Sequence, residues 1–267
     1  MNRTFDQDSY QTPADRRRVL LDYIFLQSRW YFLLRYLGIV ISARSQALAG
    51  RYDDPAWNIS SFRVFDLIED CGGRFVINGF DNLRRAVGPV VLVANHMSTL
   101  ETMVLPCLVN PILPITFVVK EKLVRGRLFG PVMQARHPVL VGRKNPREDL
   151  QAVLEGGQAV LEGGRSMVIF PESTRSEVFD PEGFNSLGVK LARRASVPLL
   201  PLAIKSDFWG NGRLIKEAGP IRRERTIHFH FGEAMTVSGQ GREEHRQALE
   251  FISGKLKSWG AGVKESD

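Results

Sequence analysis

The chain has 267 residues, 43% of them hydrophobic, which is enough to bury one sizeable α/β core. Its 36 lysines and arginines outnumber 29 aspartates and glutamates, and the formal net charge of +7 calls for an anionic partner such as a membrane surface, a phosphorylated substrate or a nucleic acid. No basic motif interleaved with aromatics is present, which sets nucleic acid aside, and Cys71 and Cys107 give neither a disulfide framework nor a zinc signature.

In chain order, residues 1–14 are polar and lack the apolar core of a secretory signal. Arg16-Arg17-Arg18 then precede an apolar run over 19–41 that Asp22, Arg29 and Arg35 interrupt. The run falls short of the ~18 nearly uncharged residues that a spanning helix needs. Basic flanks, Trp30 and neighbouring tyrosines are what a helix lying on a membrane presents to headgroups, so an interfacial extension is expected. Helices covering the domain's own core, or a true span, are the alternatives.

Strands are expected at 74–79 and 90–94, then a helix over 99–109 ended by Asn110-Pro111, a strand at 115–120 and a helix near 122–135. A strand at 139–141 leads to a helix over 147–161, with Pro146 in its first turn and Gly163-Gly164 at its end. Further strands lie at 166–170, within 197–204 and at 226–231, with helices over 184–195 and 243–259. The alternation predicts an α/β fold with a largely parallel central sheet flanked by helices, residues 70–267, behind an N-terminal amphipathic helical extension, residues 1–69.

Polar clusters close several of the strands, and ligand sites of open α/β sheets gather at the carboxyl ends of parallel strands. The strand ending at Ala94 runs into Asn95-His96-Met97-Ser98-Thr99-Leu100-Glu101. With a helix starting near Thr99, Glu101 sits about one turn of ~3.6 residues in and can fold back toward the imidazole. A carboxylate on one ring nitrogen fixes the tautomer and leaves the other to take a proton from a hydroxyl. A lone H-x-x-x-x-E is otherwise read as a solvent-facing loop histidine. A second strand delivers Phe170-Pro171-Glu172-Ser173-Thr174-Arg175-Ser176, and a third delivers Gly142-Arg143-Lys144, whose guanidinium suits bidentate phosphate binding. The apolar run Val197 through Ile204 lines a wall and carries little chemistry.

These elements, in this order and spacing, resemble the glycerolipid acyltransferase family, the lysophosphatidic acid or PlsC-like acyltransferases, over roughly residues 70 to 235. The family's N-H-x-S-x-x-D corresponds to Asn95 through Glu101, with glutamate in place of aspartate; its F-P-E-G-T-R-S to Phe170 through Ser176, with Ser173 in place of glycine; its arginine after an apolar strand to Arg143; its basic strand end to Lys120; and its V-P-x-x-P-x-x to Val197 through Ala203. The resemblance implies transfer of a fatty acyl group from an acyl thioester, acyl-CoA or acyl carrier protein, to the hydroxyl of a lysophospholipid, foremost 1-acyl-glycerol-3-phosphate. His96 is then the general base and Glu101 its partner, with Lys120, Arg143, Glu172, Ser173, Thr174 and Arg175 around the acceptor. No metal or bound cofactor is called for. A peripheral or monotopic place on the cytoplasmic face of a membrane, on an anionic surface, follows from the same reading. Another lysolipid acceptor is a narrower alternative. From other classes come an inactive membrane-surface lipid-binding protein, motivated by the Glu101 and Ser173 departures, and a lipid hydrolase, which Ser98 suggests without any G-x-S-x-G elbow.

Other residues carry plainer readings. His228 and His230 share a strand face as polar positions, His137 precedes Pro138 as a turn residue, and Arg193-Arg194 and Arg222-Arg223 with Arg225 read as solvated charge.

Overall fold

Short apolar runs closed by polar clusters become strands, and longer runs become helices, in the computed structural model, which describes residues 5–25, 28–172, 174–213 and 215–265. The chain runs β1 (Ser9–Gln11), α1 (Leu20–Ile24), α2 (Arg29–Leu48), α3 (Asp54–Asp70), β2 (Arg74–Asn78), α4 (Phe80–Arg85), β3 (Val91–Ala94), α5 (Leu100–Val109), β4 (Ile115–Lys120), α6 (Glu121–Val124), α7 (Gly130–Gln134) and β5 (Val139–Val141). It continues with α8 (Pro146–Glu162), β6 (Ser166–Ile169), β7 (Val178–Phe179), α9 (Leu187–Ala195), β8 (Leu199–Lys205), a 3-10 turn at Lys216–Ala218, β9 (Thr226–Phe231), α10 (Arg242–Ser258) and β10 (Gly262–Val263). Helix starts follow side-chain capping where it is present: Asp53 accepts from the Ala56 N–H at 2.9 Å ahead of Pro55, and Asn145 accepts from the Arg147 N–H at 3.0 Å ahead of Pro146.

Among the described residues the main sheet has the order β1-β2-β9-β8-β3-β6-β4-β5. The pairs β1–β2 and β8–β9 are antiparallel, and every other neighbouring pair is parallel. The sheet is therefore largely parallel and covered on both faces, as the alternation of elements predicts. Period-two alternation divides the core. Val91 and Val93 of β3 join Met167, Ile169, Val189 and Ile252 beneath α8, α9 and α10, whereas Leu92 and Ala94 join Phe65, Ile68, Val104 and Leu108 beneath α2, α3 and α5. A consequence for function is that β8, β3, β6, β4 and β5 run side by side in one direction, so their carboxyl ends form one edge.

The N-terminal region departs from its sequence reading in two places. Ser9–Gln11, inside the polar stretch, is a strand that covers the edge of β2, with the Tyr10 and Thr12 hydroxyls donating to Glu69 Oε1 at 2.7 and 2.6 Å. The described residues of the apolar run over 19–41 form two helices, and Asp22, one of the charges that interrupts it, is fully buried against Arg223 Nη2 at 2.8 Å. Arg223, read as solvated charge, is thus a half-buried partner that also donates to the Cys71 carbonyl. Helix α2 carries two apolar stripes on opposite sides. Phe32, Tyr36, Val40 and Ala43 are buried in the core, while Trp30, Leu34, Leu37 and Ile41 are exposed, and each set keeps the i, i+4, i+7 or i+8 spacing of one helix face. No helix among the described residues is long and apolar enough to cross a membrane.

The helix expected near 122–135 is two short ones, α6 and α7. Gly130 passes so close to the α6 end that a Cβ there would lie 2.3 Å from the Val124 carbonyl oxygen, a backbone approach that a continuous helix cannot make. His137 is a turn residue at φ 47°, and His228 stacks on Trp259 with ring centroids 4.8 Å apart. Burial, and then the charge of Lys205, push the His228 imidazole down to about 4.

The Asp22–Arg223 pair yields a stability prediction. Arg223→Ala leaves the Asp22 carboxylate buried without its cation and should destabilise the fold by about 3–5 kcal/mol in equilibrium denaturation. A loss below about 1 kcal/mol, the range of a surface pair, would show that Asp22 is solvated.

Candidate active site

The five parallel strand ends deliver polar residues in the spatial order Ser206 after β8, His96 after β3, Glu172 and Arg175 after β6, Lys120 at the end of β4 and Arg143 after β5. Residues separated by up to 110 positions in the chain so come to one edge.

At the centre, His96 Nδ1 lies 2.9 Å from Glu101 Oε1. The same oxygen accepts the backbone N–H groups of Met97 and Ser98, each at 2.7 Å. Its partner Oε2 is contacted by Ser98 Oγ at 2.9 Å and Ser206 Oγ at 2.6 Å. Glu101 is fully buried. Burial works against its charge, yet the hydrogen bond and charge of His96, the Ser206 hydroxyl and the Ser98 N–H together hold its carboxyl below the ordinary carboxylate value. An ionised Glu101 only accepts, so Nδ1 carries the imidazole proton and Nε2 keeps its lone pair. The additional methylene of glutamate is absorbed by the turn, and the contact to the histidine is kept.

The peptide of His96 is held from the β6 side. Its N–H donates to Glu172 Oε2 at 2.6 Å, and its carbonyl accepts from the Ser176 N–H at 2.9 Å. The ring stacks on Phe170 with centroids 4.3 Å apart. From the β8 side, the Asn95 side chain donates to the Ile204 carbonyl at 2.8 Å and accepts from the Ile204 N–H at 2.9 Å. Asn211 Nδ2 donates to the Met97 carbonyl at 2.9 Å. Glu172 differs from Glu101 in its protonation. Burial foremost, with the negative charges of Glu101 and Asp180, pushes its carboxyl from 4.5 to about 7 against the pull of the His96 N–H. Two carboxylates beside one imidazole are thus set apart by environment.

Lys120 and Arg143 are exposed at the neighbouring strand ends. Burial, then the charges of Arg143 and Arg175, pull the Lys120 amine down, so Lys120 lies within the field of both arginines. The backbone N–H groups of Gly142 and Arg143 donate to Asp149 at 2.8 and 3.0 Å, which fixes this loop, with Arg143 at φ 57°, onto the first turn of α8. Arg175 Nη1 contacts Glu217 Oε1 at 3.1 Å, so an anion arriving there meets an arginine already paired. Thr174 is exposed, and Ser173 lies outside the described residues. No group of three or more His, Cys, Asp or Glu side chains able to hold a metal occurs among the described residues.

Comparison with known proteins decides the family. The Acyltransferase family matches residues 74–205. A 1-acyl-sn-glycerol-3-phosphate acyltransferase from Pseudomonas aeruginosa is 26% identical over 246 residues, covering 91% of this chain and 88% of the relative. A probable 1-acyl-sn-glycerol-3-phosphate acyltransferase from Mycoplasma genitalium is 31% identical over 195 residues, 71% of this chain and 72% of the relative. The chain belongs to the PlsC-like acyltransferase family. The fold agrees: the crystal structure of the 1-acyl-sn-glycerophosphate (LPA) acyltransferase PlsC from Thermotoga maritima superposes with a TM-score of 0.62 at 19% identity, covering 93% of this chain and 99% of the other.

In this acyltransferase the residues singled out after β3, β6, β4 and β5 occupy one edge, as their placement at strand ends predicts. Ser206, Asn211 and Glu217 were not legible. The expectation that β8 only lines a wall is incomplete, because the residue after its last one, Ser206, bonds Glu101. The signal was present in Lys205-Ser206-Asp207, a polar cluster closing an apolar strand like the others.

Glu172 also gives the acyltransferase a pH-dependent stability with a defined sign. Its folded value, about 7, lies above the ordinary 4.5, so the native state binds the proton more tightly than the unfolded chain. Stability from this group is complete below about pH 4.5 and is lost as pH rises through 7, by up to about 3 kcal/mol. Glu172→Gln, which keeps an acceptor oxygen for the His96 N–H, should therefore gain stability relative to wild type between pH 5 and pH 8.5. Parallel stability–pH curves for the two proteins would refute the protonated Glu172.

Proposed function

We propose that this acyltransferase moves a fatty acyl group from an acyl thioester to the hydroxyl of a lysophospholipid, most directly 1-acyl-glycerol-3-phosphate, the substrate named for its relatives. The observation that carries the reading is the His96–Glu101 contact at the sheet edge that also holds Lys120, Arg143 and Arg175. A base at a sheet edge that also carries three cations suits an acceptor that bears a hydroxyl close to a phosphate.

In this mechanism His96 Nε2 takes the acceptor's hydroxyl proton as the hydroxyl oxygen bonds to the thioester carbonyl carbon. Glu101 stabilises the imidazolium without taking the proton. Collapse of the tetrahedral intermediate breaks the carbon–sulfur bond, and the imidazolium returns its proton to the leaving thiolate. Ester and thiol leave, and no acyl-enzyme is formed. Lys120, Arg143 and Arg175 hold the acceptor phosphate, with Arg175 exchanging or sharing Glu217 for it. Glu172 holds the backbone on which His96 is mounted, and Thr174 borders the acceptor; Ser173, assigned to the acceptor by the sequence, lies outside the described residues. The donor is acyl-CoA or acyl carrier protein. The intact His96–Glu101 contact favours an enzyme over an inactive lipid-binding relative.

The exposed stripe of α2 supports a membrane-surface location for residues 1–69 on the cytoplasmic face, peripheral or monotopic. Trp30 with Leu34, Leu37 and Ile41 offers an apolar face to acyl chains, and the net positive charge suits anionic headgroups. Buried Asp22, paired with Arg223, is no obstacle to such docking.

Product analysis by mass spectrometry, with a panel of lysolipids and both donor types, tests the reaction. Acyl transfer to 1-acyl-glycerol-3-phosphate is expected, and His96→Ala should lower it by ~10²–10⁴-fold with unchanged thermal unfolding. Full activity in a folded His96→Ala protein, or hydrolysis without transfer, overturns the reading.

Flotation with liposomes tests the location. Binding should strengthen with anionic lipid, weaken with salt, and fall when Leu34 and Leu37 are both replaced by Ser. Absence of binding to anionic liposomes at low salt would remove the membrane role of this face.

A further inference from the structure

Glu101 is a glutamate where the family pattern has an aspartate, and its carboxylate has two oxygens with different neighbours. Oε1 takes the His96 ring N–H and two backbone N–H groups, all from its own turn. Oε2 points across to the end of β8, where Ser206 Oγ lies at 2.6 Å. Both residues are fully buried.

The protons can be counted. Ser206 Oγ contacts two side-chain oxygens, Glu101 Oε2 at 2.6 Å and Ser98 Oγ at 3.0 Å. Ser98 Oγ accepts from the Leu100 N–H at 3.1 Å, and its single proton has three acceptors in reach: Glu101 Oε2 at 2.9 Å, Ser206 Oγ, and the Ser206 carbonyl at 3.1 Å. If Ser206 gave its proton to Ser98, its 2.6 Å contact with a carboxylate oxygen would hold no proton and would be repulsive. The consistent arrangement therefore has Ser206 donating to Glu101 Oε2. Ser98, 2.9 Å from the same oxygen, donates there as well by the same argument, so Oε2 takes two hydroxyl protons. Ser206 itself is fixed by β8, whose Ile204 is bonded to Asn95 through both backbone groups, and its N–H faces Met97 Sδ at 3.3 Å.

We propose that Ser206 is a positioning residue for the transfer reaction, donating to the far oxygen of Glu101 and so fixing the longer acid at its contact distance from His96. The inference rests on His96 and Glu101 being the reacting pair. The charged groups around the carboxylate are few. His96 and Glu172 face it from the β3 and β6 sides, and on the β8 side Lys205 and Asp207 flank Ser206 but pair with each other at 2.8 Å, Arg225 reaching Asp207 at 3.7 Å. The Ser206 hydroxyl also contributes to holding the Glu101 carboxyl below its ordinary value. Losing it moves that carboxyl upward, so activity should begin to fall at a higher pH on acidification.

The experiment is a kinetic cycle on the full-length protein with 1-acyl-glycerol-3-phosphate and acyl-CoA or acyl carrier protein, whichever donor supports turnover. Ser206→Ala should lower kcat roughly tenfold, the scale of one hydrogen bond to a charged group, with both KM values little changed and the acid limb of the rate profile moved to higher pH. Ser206→Cys, nearly isosteric and with a weak S–H donor, should fall between wild type and Ser206→Ala, and it carries the test if the alanine variant does not fold. In a Glu101→Gln background the effect of Ser206→Ala should shrink toward none, because the hydroxyl acts through the carboxylate. A folded Ser206→Ala or Ser206→Cys protein with wild-type kcat, or a loss of equal size with and without Glu101, overturns the role of Ser206. Full activity in Glu101→Gln alone instead overturns the His96–Glu101 pair, so the two failures are distinguishable.

Discussion

Glu101 is a negative charge with no access to water, and much of the site's local geometry follows from what that requires. A buried carboxylate is tolerated only when its lone pairs are met, and here ring N–H, backbone N–H and hydroxyl groups converge on it from the β3 turn and the end of β8. The tight turn over 96–98 aims two peptide N–H groups at one oxygen, and the parallel register of β3 with β8 brings Ser206 to the other. The imidazole is then oriented by the same charge. An apolar residue at 101 would leave these donors facing nothing, so the cost of altering the site is paid in folding as well as in chemistry.

Glu172, one strand away, has the opposite character. It meets fewer donors, the His96 N–H at 2.6 Å and the Asp180 N–H, lies close to the Glu101 charge and is shielded from solvent, and its carboxyl is pushed up to about 7. The contrast arises from the number of donors each carboxylate meets and not from depth alone. One acid supplies charge to the imidazole; the other supplies a hydrogen-bonded support whose charge is lost as pH falls through about 7.

The strand ends were legible because each apolar run stops abruptly at residues that could not remain in the core, and the parallel sheet brings such stops together. His96, Glu172, Arg175 and Arg143 were found in this way, and Lys120 through the family resemblance. Ser206 was not, because the serine itself carries no charge and the run that Lys205 and Asp207 close was read only as a wall. Pairings between distant charges were also illegible. Asp22 and Arg223 are 201 residues apart, and each looks like a surface residue in its own neighbourhood. Arg175 and Glu217 pair across a loop of equal obscurity. The edge strand Ser9–Gln11 is too short and too polar for period-two alternation to show, and its fixation comes from Glu69 on α3. The two stripes of α2 were visible only as a single apolar run. Which stripe turns inward was decided by Trp209, whose ring meets Phe32 and Tyr36 edge-on with centroids 4.8 Å away.

Asn95 carries a consequence that reaches past its own contacts. Its amide gives a proton to the Ile204 carbonyl and takes one from the Ile204 N–H, the exchange that two paired strands make through their backbones. A side chain thus extends the β3–β8 ladder one residue beyond the last strand residue. The main chain at 96 is released from sheet pairing and remains available to Glu172 and Ser176. The base is therefore mounted on a splice with the stiffness of the sheet and the backbone freedom of a turn. Its dipoles are set before any substrate enters, so little reorganisation energy is left for the chemical step to supply.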